Sequence, residues 1–391
     1  MSKHQRGMIS PNREIEILSH TKMIRSIQIQ GYRGFAEFEM KSLARVNLLV
    51  VTNNSGKTSA LEALYLLVSQ GDPASLWRIL ARRSERLPER ASRNAPELDM
   101  CHLFTGHDLR MGSKFVLTAE NQTPGRHVSF TIGEIGDEPR VKPTVREGVA
   151  LASRFGLHIK GHPSPPAPVI PLSRWGGLST ESLDVPRRMQ RKFASDGEML
   201  SQFITAESYS GGELVSLWET VALTSNEERV MNALRLLEPT IEKIASVSTP
   251  PDYWGGGNQR GGFRVKFKDV ERPVPIGSLG DGIWRLLVMA IAIAQCKDGL
   301  LLIDEIDTGL HYSVMSDMWK LIYGAAKDLN VQVFATTHSN DCIRSLAEVC
   351  CSEEDAGENV TLQRIERGRK KSVAYTPKEI EVAAARGIEV R

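Results

Sequence analysis

One segment constrains the chain more than any other. Val46–Val51, rich in Val and Leu, runs into Thr52-Asn53-Asn54-Ser55-Gly56-Lys57-Thr58, and an apolar, helix-compatible stretch follows over Ser59–Ser69. A run of branched apolar residues marks a strand buried on both faces, which requires a sheet covered by other elements on each side. A strand that empties through a short polar loop into a helix N-terminus is the geometry of a phosphate loop. In such a loop the backbone N–H groups of Asn53, Asn54, Ser55 and Gly56 converge on di- or triphosphate oxygens, aided by the positive end of the helix dipole. Lys57 is placed to reach the β and γ phosphates, and the Thr58 hydroxyl to hold Mg2+. The first glycine of the usual loop pattern is replaced by Val51. On this segment alone, a helix start that happens to read Gly-Lys-Thr stays open as the alternative.

Two further strand ends carry polar chemistry. Leu300–Ile303 reads as a buried strand ending in Asp304-Glu305, and Val331–Ala335 as another ending in Thr336-Thr337-His338-Ser339. Asp304 is a candidate for Mg2+ coordination through a water, Glu305 for polarising the attacking water as general base, and His338 for sensing the γ phosphate. Acidic caps and polar loop histidines are common at strand ends, so each residue also has an ordinary structural reading. What separates the readings is position. In an open α/β sheet the C-terminal edge of the strands is where ligands bind, and all three loops fall on that edge.

The rest of the chain fits an α/β protein of 391 residues with more than one lobe. Ile24–Ile29 alternates as a strand, Gly31–Gly34 makes a turn, and Lys114–Ala119 with His127–Ile132 reads as a strand pair. Glu213–Leu223 and Glu227–Ile244 read as helices, and Phe263–Phe267 as a strand. Ile283–Cys296 reads as a helix apolar nearly all round, hence core, and Ser313–Leu329 as another helix. Strands alternating with helices argue for a parallel sheet. The expected division is a loose extension over 1–22, one part of a head over 23–160, a helical insertion or arm over 161–250, and the second part of the head over 251–391.

Composition excludes several classes. With 41% hydrophobic and 25% charged residues the chain is too apolar to be wholly disordered. The 49 Lys and Arg against 47 Asp and Glu leave a net charge of +2, so a nucleic-acid surface has to be a local patch. The candidate is the run Arg78, Arg82, Arg83, Arg86, Arg90 and Arg93, with a solvated helix face or protein interface as the alternative. The longest purely apolar stretch, Leu286–Ala294, is far short of a membrane span, so no membrane partner is expected. Cys101, Cys296, Cys342, Cys350 and Cys351 show neither a disulfide framework nor the CxxC spacing of a thiolate metal cluster, which points to a cytoplasmic protein. Gly255–Gly262 reads as a hairpin loop, since no helix follows it, and Arg364–Lys371 as an exposed hairpin turn.

Taken in order, IRSIQIQGYRGF from Ile24, VNLLVVTNNSGKT from Val46, SLGDGIWR from Ser278, LLIDEIDTGLH from Leu301 and FATTHS from Phe334 resemble the ABC-type ATPases of the OLD/RecF/SMC branch, and most of all the stand-alone OLD-like ATPases. The resemblance runs from Met23 to Arg391. It implies a P-loop NTPase fold of ABC-ATPase type with a mixed β lobe and an inserted helical arm, binding ATP and Mg2+. It also implies homodimers or higher oligomers in which two heads enclose the nucleotide. Ser278, Gly280 and Gly282 then stand at the signature that grips the partner's γ phosphate, although Asp281 puts a negative charge there. Thr308–His311 matches the loop that crosses the dimer interface, and Tyr32 with Arg33 the element near the base.

OLD proteins continue into a nuclease, whereas this sequence stops some fifty residues after His338. The expected function is therefore slow ATP hydrolysis that drives a conformational switch controlling DNA processing, through a nuclease or other effector subunit, in anti-phage defence. The alternatives are an ATPase of DNA repair or chromosome maintenance and a non-hydrolysing, nucleotide-bound scaffold. A transport ATPase fits poorly with the long insertion, and a small-molecule kinase leaves the signature and His338 without a role.

Overall fold

The structure, a computed structural model, describes residues 23–51, 56–88, 97–120, 125–135, 155–162, 169–173, 175–179, 199–205, 209, 211–247, 262–353 and 355–386. Residues 1–22, Asn53, Asn54, Ser55, Arg90, Arg93 and 255–261, all singled out in the sequence, lie outside them.

The central sheet has the order β10 (Ser201–Ile204), β14 (Leu300–Ile303), β15 (Gln332–Thr337), β3 (Val46–Val51), β16 (Val360–Ile365), β17 (Val373–Tyr375). The first five are parallel and β17 is antiparallel, closing a hairpin with β16 over the expected turn. β15 lies between β14 and β3, with Ile303 opposite Ala335 and Thr337 opposite Val50. That register sets the three polar strand ends side by side.

Side chains leave this sheet alternately on two faces, as strand geometry requires. Val46, Leu48, Val50, Leu301, Ile303, Val333 and Ala335 enter one core, beneath α5 (Asp281–Gln295), α6 (Met315–Asp328), α7 (Asn340–Ser352) and α9 (Pro377–Arg386). Leu49, Leu300, Leu302 and Phe334 enter a second core with α1 (Lys57–Val68). α5 is buried from Ile283 to Ala294, in keeping with a sequence that is apolar there except at Arg285. The second core is closed by an antiparallel sheet of order β2 (Phe35–Met40), β1 (Ser26–Tyr32), β5 (Lys114–Glu120), β6 (Arg126–Glu134), β7 (Phe155–His162), β8 (Ile170–Pro171). Buried Gln332 joins the two sheets by accepting from the Ile24 N–H and donating to the Ala44 carbonyl, at 2.9 and 2.7 Å.

Smaller elements complete the molecule. β4 (Leu98–Asp99) pairs with β9 (Gly177–Leu178), and β11 (Ile241–Ser246), β12 (Phe263–Phe267) and β13 (Val274–Pro275) form a three-stranded sheet. Among the described residues, the remaining α-helices are α2 (Pro73–Arg82), α3 (Gly211–Glu219), α4 (Ser225–Leu237) and the single turn α8 (Ala356–Asn359). The helix expected over Glu227–Ile244 thus ends at Leu237. Pro239 cannot continue it, and Ile241 and Ile244, helix-spaced in sequence, pack instead from a strand. Among the described residues, no helix is long and apolar enough to cross a membrane.

The described arginines of the run, Arg78, Arg82, Arg83 and Arg86, are exposed. Arg78 donates to the Tyr65 hydroxyl, Arg82 to the Phe203 carbonyl, and Arg83 to both Glu62 oxygens. All three residues stay exposed, so these bonds anchor a charged surface to the fold without removing it.

Candidate functional site

The turn into α1 is made by Gly56, at φ 98° and ψ 18°. A Cβ there would stand 2.8 Å from the Phe35 ring, and the left-handed backbone is itself costly for any residue with a side chain. Glycine is therefore required twice over. Because the first residues of a helix keep N–H groups without intrahelical partners, α1 starts as a donor surface at the C-terminal end of β3.

The side chains that follow turn towards the neighbouring strands. Lys57, 6% exposed, donates from Nζ to the Thr337 carbonyl at 3.1 Å, at the end of β15. Burial pushes its ammonium down to about 8, against the pull of Asp304, Glu305 and Asp307 in the other direction. Thr58 donates from Oγ1 to Asp304 Oδ2 at 2.8 Å. Lys57, Thr58 and Asp304, separated by nearly two hundred and fifty residues in the chain, are thereby brought to one strand edge, and His338 follows Thr337 directly.

Residues without an assigned role in the sequence hold this edge in shape. Thr336 Oγ1 donates to Asp304 Oδ1 at 2.6 Å and accepts the Glu305 N–H at 2.8 Å. Glu305 has φ 50°, a strained value for a residue with a Cβ, and this bond fixes it there. The Glu305 carboxylate accepts from Thr308 Oγ1 at 3.2 Å. Thr337 Oγ1 donates to Asp307 and accepts the Ser339 N–H, and Ser339 in turn caps α7. The detectable signal was the double threonine at a strand end, since paired hydroxyls inside a buried strand need partners.

Arg285 is the other unforeseen residue. It is the one basic side chain of α5 and is buried, with its Nη atoms donating to the carbonyls of Thr205, Asp304 and Glu305 at 2.7–2.9 Å. Burial lowers the proton affinity of its guanidinium, which the surrounding carboxylates partly restore. A lone arginine in an apolar helix was the signal for it.

Ser278, Gly280 and Gly282 form a separate group at the start of α5. Ser278 and Gly280 are exposed, and Gly280 adopts φ 88° and ψ 172°, a conformation reserved for glycine. A Cβ on Gly282 would stand 3.3 Å from the Gly309 carbonyl, and one on Gly309 3.3 Å from Asp281 Cβ. The start of α5 and the loop after Glu305 are thus in close contact.

Tyr32 and Arg33, expected near a base, are buried and turned inward. Arg33 makes a two-pronged bond to Glu85 at 2.6 and 3.0 Å and meets Glu62 of α1 at 2.8 Å. Tyr32 donates to Glu62, and burial, reinforced by Glu62, raises its hydroxyl well above the usual tyrosine range.

Comparison with known proteins gives the following. The AAA ATPase domain family matches residues 23–122 and 217–343, more than half of the chain. An ATP/GTP phosphatase of Helicobacter pylori is 24% identical over 347 residues, covering 84% of this chain and 88% of that one. The DNA replication and repair protein RecF of Geobacter metallireducens is 33% identical over 135 residues, 34% of this chain and 29% of RecF. Among solved structures, the Smc head domain with an extended coiled coil, bound to the C-terminal domain of ScpA, from Pyrococcus furiosus is similar with a TM-score of 0.46 at 11% identity. That alignment covers 94% of this chain and 99% of the Smc chain.

Proposed function

Because the chain belongs to the AAA ATPase domain family, we propose that it is an ABC-type ATPase of the RecF/SMC branch that hydrolyses ATP between two copies of its head and uses the cycle as a conformational switch. The observation that supports this reading best is the meeting of Thr58 with Asp304 while Lys57 lies on the next strand end. A hydroxyl and a carboxylate 2.8 Å apart form the hard, oxygen-only donor pair that Mg2+ takes alongside phosphate oxygens and water. These residues fit the ion, which when bound neutralises charge on the phosphates.

In this reading Lys57 leaves the Thr337 carbonyl for the β and γ phosphates, with the backbone of Asn53, Asn54, Ser55 and Gly56 around them. Glu305 takes a proton from the attacking water as its oxygen bonds to the γ phosphorus. The bond from that phosphorus to the β–γ bridging oxygen breaks, and ADP leaves with the electron pair. His338 senses the γ phosphate before and after. Ser278, Gly280 and Gly282 serve the nucleotide of the other copy, and Asp281 keeps turnover slow by repelling its phosphate. The output is control of a DNA-processing effector subunit, a nuclease in anti-phage defence, inside the cytoplasm.

The test is Glu305→Gln. Removing a general base costs about 10²–10⁴-fold in rate, so the variant is expected to bind ATP normally and accumulate a closed assembly with phosphate release reduced by that factor. Phosphate release at the wild-type rate removes Glu305 from the mechanism. Wild-type turnover no faster than buffer leaves a nucleotide-bound scaffold in place of a hydrolase.

A further inference from the structure

Two successive carbonyls, those of Asp304 and Glu305, converge on a single nitrogen. Arg285 Nη2 donates to both, at 2.8 and 2.9 Å, while its Nη1 donates to the Thr205 carbonyl at 2.7 Å. Along an extended strand neighbouring carbonyls point to opposite sides, so one donor cannot meet two in a row. The chain has to turn between them, and Glu305, with φ 50°, is that turn. A residue with a Cβ persists in the left-handed region only where its surroundings over-determine it. Here the Thr336 hydroxyl takes the Glu305 N–H at 2.8 Å and the Thr308 N–H donates to the Glu305 carbonyl at 3.1 Å. Arg285 completes the set.

We propose that Arg285 is a positioning residue for hydrolysis, which aims the Glu305 carboxylate at the attacking water and ties it to the start of α5. The inference rests on the reading of Glu305 as general base. A part in stability alone explains less of what is found. Arg285 is 6% exposed and burial works against its charged form. Among the described residues its buried Nε finds no acceptor, which is a further cost. A neutral amide would satisfy a strand-end carbonyl without burying a charge. What the guanidinium adds is a rigid fork, which fixes carbonyls on the ends of β10 and β14 at the same time.

The same side chain makes Glu305 sensitive to where α5 lies. One turn earlier, α5 meets the loop after Glu305 through Gly282 and Gly309. The segment Asp304–Gly309 is therefore gripped by α5 at two points, close to the exposed Ser278 and Gly280. In the proposed reading, a nucleotide of the other copy that engages Ser278 and Gly280 sets the base through this grip.

The test is a double-mutant cycle of Arg285→Gln with Glu305→Gln in the full-length protein, read as phosphate release alongside ATP affinity and melting temperature. Misplacing a reacting group by an ångström costs about 10²-fold, so Arg285→Gln is expected to lower kcat by about that factor. ATP affinity is expected to stay within about threefold, because Lys57 and Thr58 are held by other bonds. In the Glu305→Gln background the same change is expected to cost nothing further, since residues that act as a unit are not additive. A merely structural arginine lowers turnover equally in both backgrounds. That result, or wild-type kcat in Arg285→Gln, overturns the proposal. Should Arg285→Gln fail to fold, Arg285→Lys keeps the charge, loses the fork and takes its place, with an expected fall of about tenfold. Wild-type phosphate release in Glu305→Gln alone is a distinct result, which removes the general base itself whatever Arg285 does.

Discussion

The residues around Lys57 and those around Ser278 are both helix starts entered through a left-handed glycine, yet they are built in opposite ways. At the first, Gly56 lies against Phe35, Lys57 is buried, and Thr58 is bonded to a carboxylate from the far half of the chain. At the second, Ser278 is exposed and a Cβ on Gly280 would meet nothing within 4 Å. One start is closed by its own chain, and the other presents its glycine to the surroundings. In the proposed reading, that contrast suits two heads that share a nucleotide, the first start serving as a closed phosphate cradle and the second as a surface offered to the other copy. Arg285 spans the two, rooted in α5 and bonded to the backbone of both carboxylates, so a shift of α5 acts directly on Asp304 and Glu305.

The contrast is sharpened most strongly by Lys57→Ala. A charge-assisted bond to phosphate contributes about 1.5–3 kcal/mol, which is about 10–100-fold in affinity. ATP binding, measured by titration calorimetry at low protein concentration, is expected to weaken by that factor whatever the oligomeric state. Unchanged affinity breaks the assignment of the closed cluster. Ser278→Arg is the matching test of the open one. It touches no core, so ATP affinity is expected to hold while turnover falls about tenfold and ceases to rise with protein concentration. A variant that loses ATP binding as well places Ser278 in its own chain's cradle, and the comparison fails.

How much of this was written in the sequence follows the same line. β3 and β14 span the residues that their apolar runs marked, and β15 and α5 differ from their expected bounds by a residue or two, because burial on both faces leaves an unmistakable pattern. The Thr58–Asp304 meeting could be anticipated only as two strand ends on one edge, since register is not visible in a single strand. β7 went unread, although Phe155, Leu157 and Ile159 alternate, because glycine and histidine occupy its other face. β10 is four residues long and is held by main-chain pairing with β14 more than by its own composition. Charge in a sequence does not reveal that Arg78, Arg82 and Arg83, though exposed, meet a hydroxyl, a carbonyl and a carboxylate of the fold.

The smallest expected effect comes from the burial of Lys57. Its free ammonium titrates near 8, below the ordinary lysine value, because burial outweighs the nearby carboxylates. Only the charged form is attracted to phosphate, and a bound triphosphate raises the proton affinity of the amine. Below 8 the ammonium is already charged and binding costs no protonation. Above 8 each ATP bound must bring a proton to Lys57, so affinity falls as pH rises through the free value. Between roughly pH 7 and 8.4 the dissociation constant is expected to rise about threefold. Calorimetry in two buffers of different ionisation heat should show proton uptake that grows over the same interval. Ser278→Arg should keep this pH dependence, because the open start holds no buried amine, and Lys57→Arg should remove it, because a guanidinium stays charged throughout. A pH dependence that persists in Lys57→Arg assigns the proton to another group and separates the burial of Lys57 from its part in binding phosphate.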